Sequence, residues 1–153
     1  MLEKTNRSTP SRAVQGNIPI YHRYTLGVAG ERFFKALRDQ QQILTSRCPQ
    51  CGKRWLPPKM YCEKCFVEMT DWSPVEGPGV ITAFTVLHRT LDEEPLEKPI
   101  VAVMVGWDDV EGGLLHRLEG VEASKVKIDM KVAPEWSDKR TGSLEDIRFF
   151  RPA

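Results

Sequence analysis

Outside one short stretch the chain has no cysteine: its four are Cys48, Cys51, Cys62 and Cys65. Histidine is scarce, with only His22, His88 and His116, and no two of these stand at metal-ligand spacing. That scarcity excludes a histidine-rich metal site and leaves no convincing Ser-His-Asp order. Charge of one sign is also lacking. With 22 basic and 21 acidic residues the formal net charge is +1, without the basic excess of a dedicated nucleic-acid binder. The longest apolar runs reach about eight residues, far short of a membrane span. Residues Met1 to Gly16 lack the apolar core of a secretory signal, so the expected location is the cytoplasm. We find no internal repeat and no low-complexity tract.

What the chain does carry is two C-x2-C pairs separated by ten residues. Each pair presents two thiolates from one tight turn, a knuckle, and two facing knuckles complete a tetrahedral shell of four sulfurs. Gly52 follows the second cysteine of the first knuckle, where the backbone must turn back sharply. Two disulfides would need an oxidising compartment, and a redox C-x2-C would sit in a βαβ setting that is missing here. Zinc is the expected metal, with a rubredoxin-like iron site as its competitor. A closed four-cysteine site has no open position for water or a carbonyl. It also consumes every thiol, so a nucleophile for thioester chemistry would have to come from another chain.

The pattern divides the 153 residues into an extended arm over 1–24, a helix over 25–45, a zinc ribbon over 46–72 and an all-β unit over 73–153. Leu26, Ala29, Phe33, Ala36, Leu37 and Leu44 approximate one helical face. Adjacent Phe33 and Phe34 widen that face, so the helix packs either on its own domain or on a partner chain. Between the knuckles, Trp55 and Leu56 are expected to cover the metal site or meet the next domain.

In the β unit, Gly77-Pro78-Gly79 reads as a turn, because no Lys-Ser/Thr and helix follow to make a phosphate loop. Strands are expected at 80–87, at 100–107 (apolar enough for burial on both faces), at 114–118, over the alternating 125–132, and at 147–150. Residues 108–113 read as a loop, and its carboxylates Asp108, Asp109 and Glu111 as solvated turn residues rather than an acid–base pair. The fold class is therefore mainly β: an N-terminal helix, a rubredoxin-like four-cysteine zinc ribbon, then a five-stranded OB-fold barrel. No catalytic residue is expected.

The order of these parts, with ERFFKAL at 31–37, RCPQCG at 47–52, LPP at 56–58, CEKC at 62–65, GPGVITAFT at 77–85 and DMKV at 129–132, resembles one family. It is the acyl-CoA-associated family of rubredoxin-like zinc ribbons fused to OB-folds, and the likeness runs over about residues 30–150. The resemblance implies a non-catalytic accessory subunit of a thiolase-superfamily enzyme, with structural Zn2+ on Cys48, Cys51, Cys62 and Cys65. It also implies a thiolase-like catalytic subunit as partner and a coenzyme A thioester as shared ligand. We expect Lys53, Arg54 and Lys59 on one side of a groove, and Arg89 or Arg117 on the other, to contact that acyl-CoA. The competing expectation is a single-stranded nucleic-acid binder that stacks bases on Phe84, Phe149 and Phe150.

Overall fold

The computed structural model describes residues 16, 24–90 and 92–153. The arm expected over 1–24 lies outside the described residues except for Gly16 and Tyr24. An α-helix, α1 (Gly27–Lys35), continues into a π-helical turn, Ala36–Gln40. The helix expected over 25–45 therefore ends early. Gln41 adopts a left-handed conformation (φ 55°), and Leu44, expected on the helical face, instead opens strand β1 (Leu44–Arg47). Basic Arg32 and Lys35 sit in the last turn of α1, where the helix dipole favours cations. Phe33 and Leu37 enter the main hydrophobic core, so this helix packs on its own chain.

Two sheets follow. The ribbon sheet contains β1, β2 (Arg54–Leu56), β3 (Asp71–Pro74) and a fourth strand from farther along the chain, β6 (Val110–Gly112), in the order β3-β1-β2-β6. The other strands are β4 (Gly79–Arg89), β5 (Pro95–Gly106), β7 (Leu114–Leu118), β8 (Lys131–Trp136) and β9 (Ile147–Pro152). They close a five-stranded barrel in the order β4-β5-β7-β9-β8. Closure removes the free sheet edges that a small open sheet would expose. Val101, Val103 and Val105 of β5 point into the barrel with Ile81, Leu114, Leu118, Val132, Ile147 and Phe150. Ile100 is exposed while Ala102 and Met104 are half-buried, so the apolar run of β5 is buried on one face and not on both.

Two expectations are corrected here. The strand expected over 125–132 is mostly a turn that follows a 3-10 helix at Ala123–Lys125, and β8 begins only at Lys131. Asp129 is left-handed (φ 64°), and its N–H donates to the Ile81 carbonyl at 2.9 Å. Val126 and Val132 are buried, but the turn carries Ile128 outward to 49% exposure. Alternation in sequence thus survives without a strand beneath it. The loop expected over 108–113 is a turn only at Asp108 and Asp109, since residues 110–112 pair in parallel with β2.

The loop before β9 is held by one buried carboxylate. Asp146 is 1% exposed and accepts N–H bonds from Thr141 (2.7 Å), Gly142 (2.9 Å) and Ser143 (3.3 Å). Ser143 completes a capping box with it. From this loop Arg140 donates to the Arg38 carbonyl at 2.7 Å, which ties the end of the first helix to the barrel. Removing the buried carboxylate leaves the N–H groups of Thr141, Gly142 and Ser143 without their shared acceptor and the loop without its anchor. Asp146→Ala should lower the unfolding free energy by roughly 2–4 kcal/mol, and Ser143→Ala by about 1. Urea titration checks this, and a loss for Asp146→Ala no larger than for Ser143→Ala contradicts it.

Candidate metal centre and the adjoining cleft

Each knuckle is a short loop closed by its own backbone. In the first, the Cys48 N–H donates to the Lys53 carbonyl at 2.9 Å and the Gly52 N–H to the Cys48 carbonyl at 3.0 Å. The second repeats this, with Cys62 N–H to Val67 (3.0 Å) and Phe66 N–H to Cys62 (2.9 Å). β1, β2 and β3 set the knuckles facing each other, and all four Sγ atoms lie within 4.8 Å of one another. Cys51 Sγ and Cys62 Sγ are 3.8 Å apart, the edge of a tetrahedron with zinc–sulfur bonds of about 2.3 Å. The donor set fits zinc. Among the described residues this is the one cluster of three or more His, Cys, Asp or Glu able to hold a metal.

The electrostatics of the four sulfurs also favour a cation. Burial raises the Cys62 thiol, but the backbone N–H groups of Cys65 and Lys64 and hydrogen bonds from Cys48 and Cys51 bring it down to about 6. Burial, together with hydrogen bonds to the same sulfurs, pushes Cys65 up to about 12. Four thiols this close share their negative charge unevenly, and full ionisation requires a metal among them. The hydrophobic support is small. Cys48, Trp55, Cys62 and Met69 form a cluster separate from the barrel core, with Cys65 and Val67 against it. Trp55 therefore covers the metal site, whereas Leu56 belongs to the main core.

An open cleft of about 900 Å³ adjoins the first knuckle, lined by Arg47, Cys51, Gly52, Lys53, Arg54, Asp109, Val110 and Glu111. Of the five cations expected to meet acyl-CoA, the structure brings Lys53 and Arg54 together here. Lys53 pairs with Glu111, and neighbouring Lys64 and desolvation lower its pKa, opposed by the Cys51 and Cys62 sulfurs. Arg54 donates to the Pro74 carbonyl (2.7 Å) and to Thr45 Oγ1 (3.1 Å), so it crosslinks β2 to β1 and β3. Lys59 is not in this lining; its ammonium lies 4.3 Å from the Trp55 ring centroid and pairs with Glu63. Arg89 sits at the far end of the β4–β5 hairpin, bonded to the Glu93 carbonyl at 3.0 Å. It stands ten positions beyond Gly79, roughly 30 Å along the strand. Arg117, on β7, donates to the Arg148 carbonyl at 2.7 Å and pairs with Glu119.

The sequence reading missed Arg47 and Glu111 as cleft residues, because only the parallel pairing of β6 with β2 brings residue 111 to the ribbon. Its aromatic candidates also separate. Phe150 is fully buried in the barrel, Phe149 is half-buried under Arg148, and Phe84 is exposed. His88 is exposed, and His116 lies against Phe150 with Nε2 3.3 Å from the Leu144 carbonyl. Asp109 is a left-handed turn residue (φ 61°). None of these forms an acid–base pair. No helix among the described residues is long and apolar enough to cross a membrane.

Residues 36–70 match the rubredoxin-like zinc ribbon domain of ChsH2, and residues 72–137 match the C-terminal OB-fold domain of ChsH2. Among solved structures, a protein of unknown function from the DUF35 family of Sulfolobus solfataricus is 27% identical. The alignment covers 82% of this chain and 84% of that one, with a TM-score of 0.66. The Ltp2-ChsH2(DUF35) aldolase aligns at 24% identity over 85% of this chain and 98% of that one, with a TM-score of 0.62, and shares the fold. No curated protein matches the chain.

Proposed function

The chain belongs to the DUF35 family, in which a ChsH2-type zinc ribbon leads into a ChsH2-type OB-fold, and from that premise we propose that it is a non-catalytic accessory subunit of a thiolase-superfamily enzyme. One observation carries this reading: the ribbon-then-barrel match is continuous but for residue 71, and its metal centre uses all four thiols. A chain of this build has no nucleophilic cysteine to offer, so the acyl-transfer chemistry belongs to a thiolase-like partner. The named aldolase complex of the ChsH2 relative is consistent with such a division of labour.

The ligand in this reading is a coenzyme A thioester shared between the two subunits. Arg47, Lys53 and Arg54 supply cations for its phosphates at the first knuckle, with Lys59 nearby on the ribbon. Arg89 and Arg117 would meet it only where the partner extends the binding surface along the barrel. At its finest, the reading is the small subunit of a benzoylsuccinyl-CoA thiolase, whose layout is similar. Cytoplasmic residence is part of it, since four metal-binding thiols need a reducing compartment.

The test is purification of the tagged chain from its native host, followed by reconstitution. A thiolase-like chain should co-elute in fixed ratio with one zinc per copy of this protein, and its acyl-CoA turnover should rise on adding the protein back. Identical turnover and CoA affinity with and without it would end the proposal. Salt-dependent binding of single-stranded DNA, by a chain that elutes alone, would redirect it to nucleic acid.

A further inference from the structure

The two knuckles share their hydrogen bonding but not their sequence at one position. Gly52 and Phe66, each just after the second cysteine, both take a left-handed conformation, with φ of 72° and 56°. The turn demands this, because the N–H of that residue donates back to the carbonyl of the first cysteine. Glycine adopts it freely. For a bulky side chain it costs on the order of 1 kcal/mol and is a genuine outlier. Burial does not offset that cost, since Phe66 is 82% exposed. The fold would be more stable with glycine there, as in its own first knuckle. Strain at a surface position that the folded chain does not recover points to a contact made with something else.

The surroundings indicate what that is. Tyr61, bridged to Glu68 across the base of the same knuckle, is 60% exposed. Lys59 and Glu63 beside it neutralise each other. An aromatic tip with a charge-balanced rim suits an apolar pocket on a protein better than a phosphate-rich ligand, and the cations that line a cleft sit at the first knuckle.

We propose that Phe66 is the anchor by which the zinc ribbon docks on its partner, inserted into an apolar pocket of the thiolase-like catalytic subunit. This rests on the accessory-subunit reading. It adds which knuckle faces the partner, and it gives the strained backbone a purpose.

The experiment compares zinc-loaded wild type, Phe66→Gly and Phe66→Tyr for affinity to the purified thiolase-like subunit, and for melting temperature of the chain alone. Phe66→Gly should weaken binding by about 30-fold or more while raising the melting temperature by about 2–4 °C. Phe66→Tyr keeps the ring and should bind within about 3-fold of wild type. Improved stability with impaired binding is a signature no purely structural residue gives. Unchanged affinity in Phe66→Gly overturns the proposal, as does a lowered melting temperature with zinc loss. A fall in the mass of the chain alone from dimer to monomer assigns the anchor to a second copy and overturns it too. If wild type fails to bind the catalytic subunit, the accessory-subunit reading falls and this one with it. If wild type binds and Phe66→Gly binds equally, only this one falls.

Discussion

Cys48→Ser should abolish stoichiometric zinc binding and melt the ribbon while the barrel stays folded. Cys48 is 1% exposed, and its sulfur accepts the Cys51 N–H at 3.4 Å. Among the described residues, the ribbon core around it comprises Trp55, Cys62 and Met69, with Cys65 and Val67 at the margin. So small a cluster cannot offset the chain entropy of ordering the knuckles without the metal. Binding of a structural zinc supplies on the order of 10–16 kcal/mol at neutral pH, and losing one of four ligands removes most of that advantage. Most of the main core, from Ile81 through Phe150, comes from the barrel unit, with Phe33, Leu37, Ile43 and Leu56 joining it from the helix and the ribbon, so the barrel should survive. Metal content by mass spectrometry should fall from one zinc per chain to near zero. Amide exchange should rise at 44–47, 54–56 and 71–74 and remain slow at 101–105. A zinc-loaded, fully protected Cys48→Ser protein would refute the account, and so would global unfolding.

Gly112→Ala should unzip β6 from β2 and leave the zinc in place, with Leu56 still seated in the shared core. Gly112 has φ +91°, and a Cβ built there would stand 2.1 Å from the Leu56 carbonyl oxygen. That oxygen accepts the Gly113 N–H at 3.0 Å, so it has no room to retreat without breaking the bond. The parallel register Arg54↔Val110, Trp55↔Glu111, Leu56↔Gly112 fails from its C-terminal end, and the Lys53–Glu111 pair goes with it. A forced backbone shift at a left-handed position, with loss of a short ladder, costs roughly 3–5 kcal/mol. Because both knuckles close through their own local bonds, one zinc per chain should be retained. Exchange protection should drop selectively in β2 and β6, and the cleft residues Lys53 and Arg54 should lose their fixed relation to Asp109 and Glu111. Unchanged protection in β2 would show that β6 contributes nothing to the ribbon.

These two substitutions mark the boundary of what the residues declare in advance. The metal ligands were legible because zinc chemistry imposes a fixed spacing on a fixed residue type. The barrel strands 80–87, 100–107, 114–118 and 147–150 were legible because β-branched and aromatic runs between turn residues have few alternatives. Val110-Glu111-Gly112 carries no such pattern. Three residues suffice to pair with β2, and only the course of the whole chain decides which edge they reach. The region 125–132 misled in the opposite sense, since its period-two alternation is satisfied by burying Val126 and Val132 at the two ends of a turn. The cleft was half legible. Charge in a sequence names candidates such as Lys53, Arg89 and Arg117, but which of them meet is set by the length of a hairpin and the direction of β7. The left-handed position at Phe66 was readable from setting Cys51-Gly52 beside Cys65-Phe66, an alignment of two turns within one chain.

The late strand of the ribbon sheet has a temporal consequence as well. During synthesis from the N-terminus, Cys48 to Cys65 emerge together, and loops this short close quickly. Metal can therefore be captured before any barrel strand exists. β2 then waits with one edge bare until residues 110–112 follow, more than fifty positions later. For that interval the nascent chain exposes a strand edge open to mispairing. The strand joining ribbon to barrel thus also acts as a clock, because the ribbon is finished only after the first two barrel strands have been made.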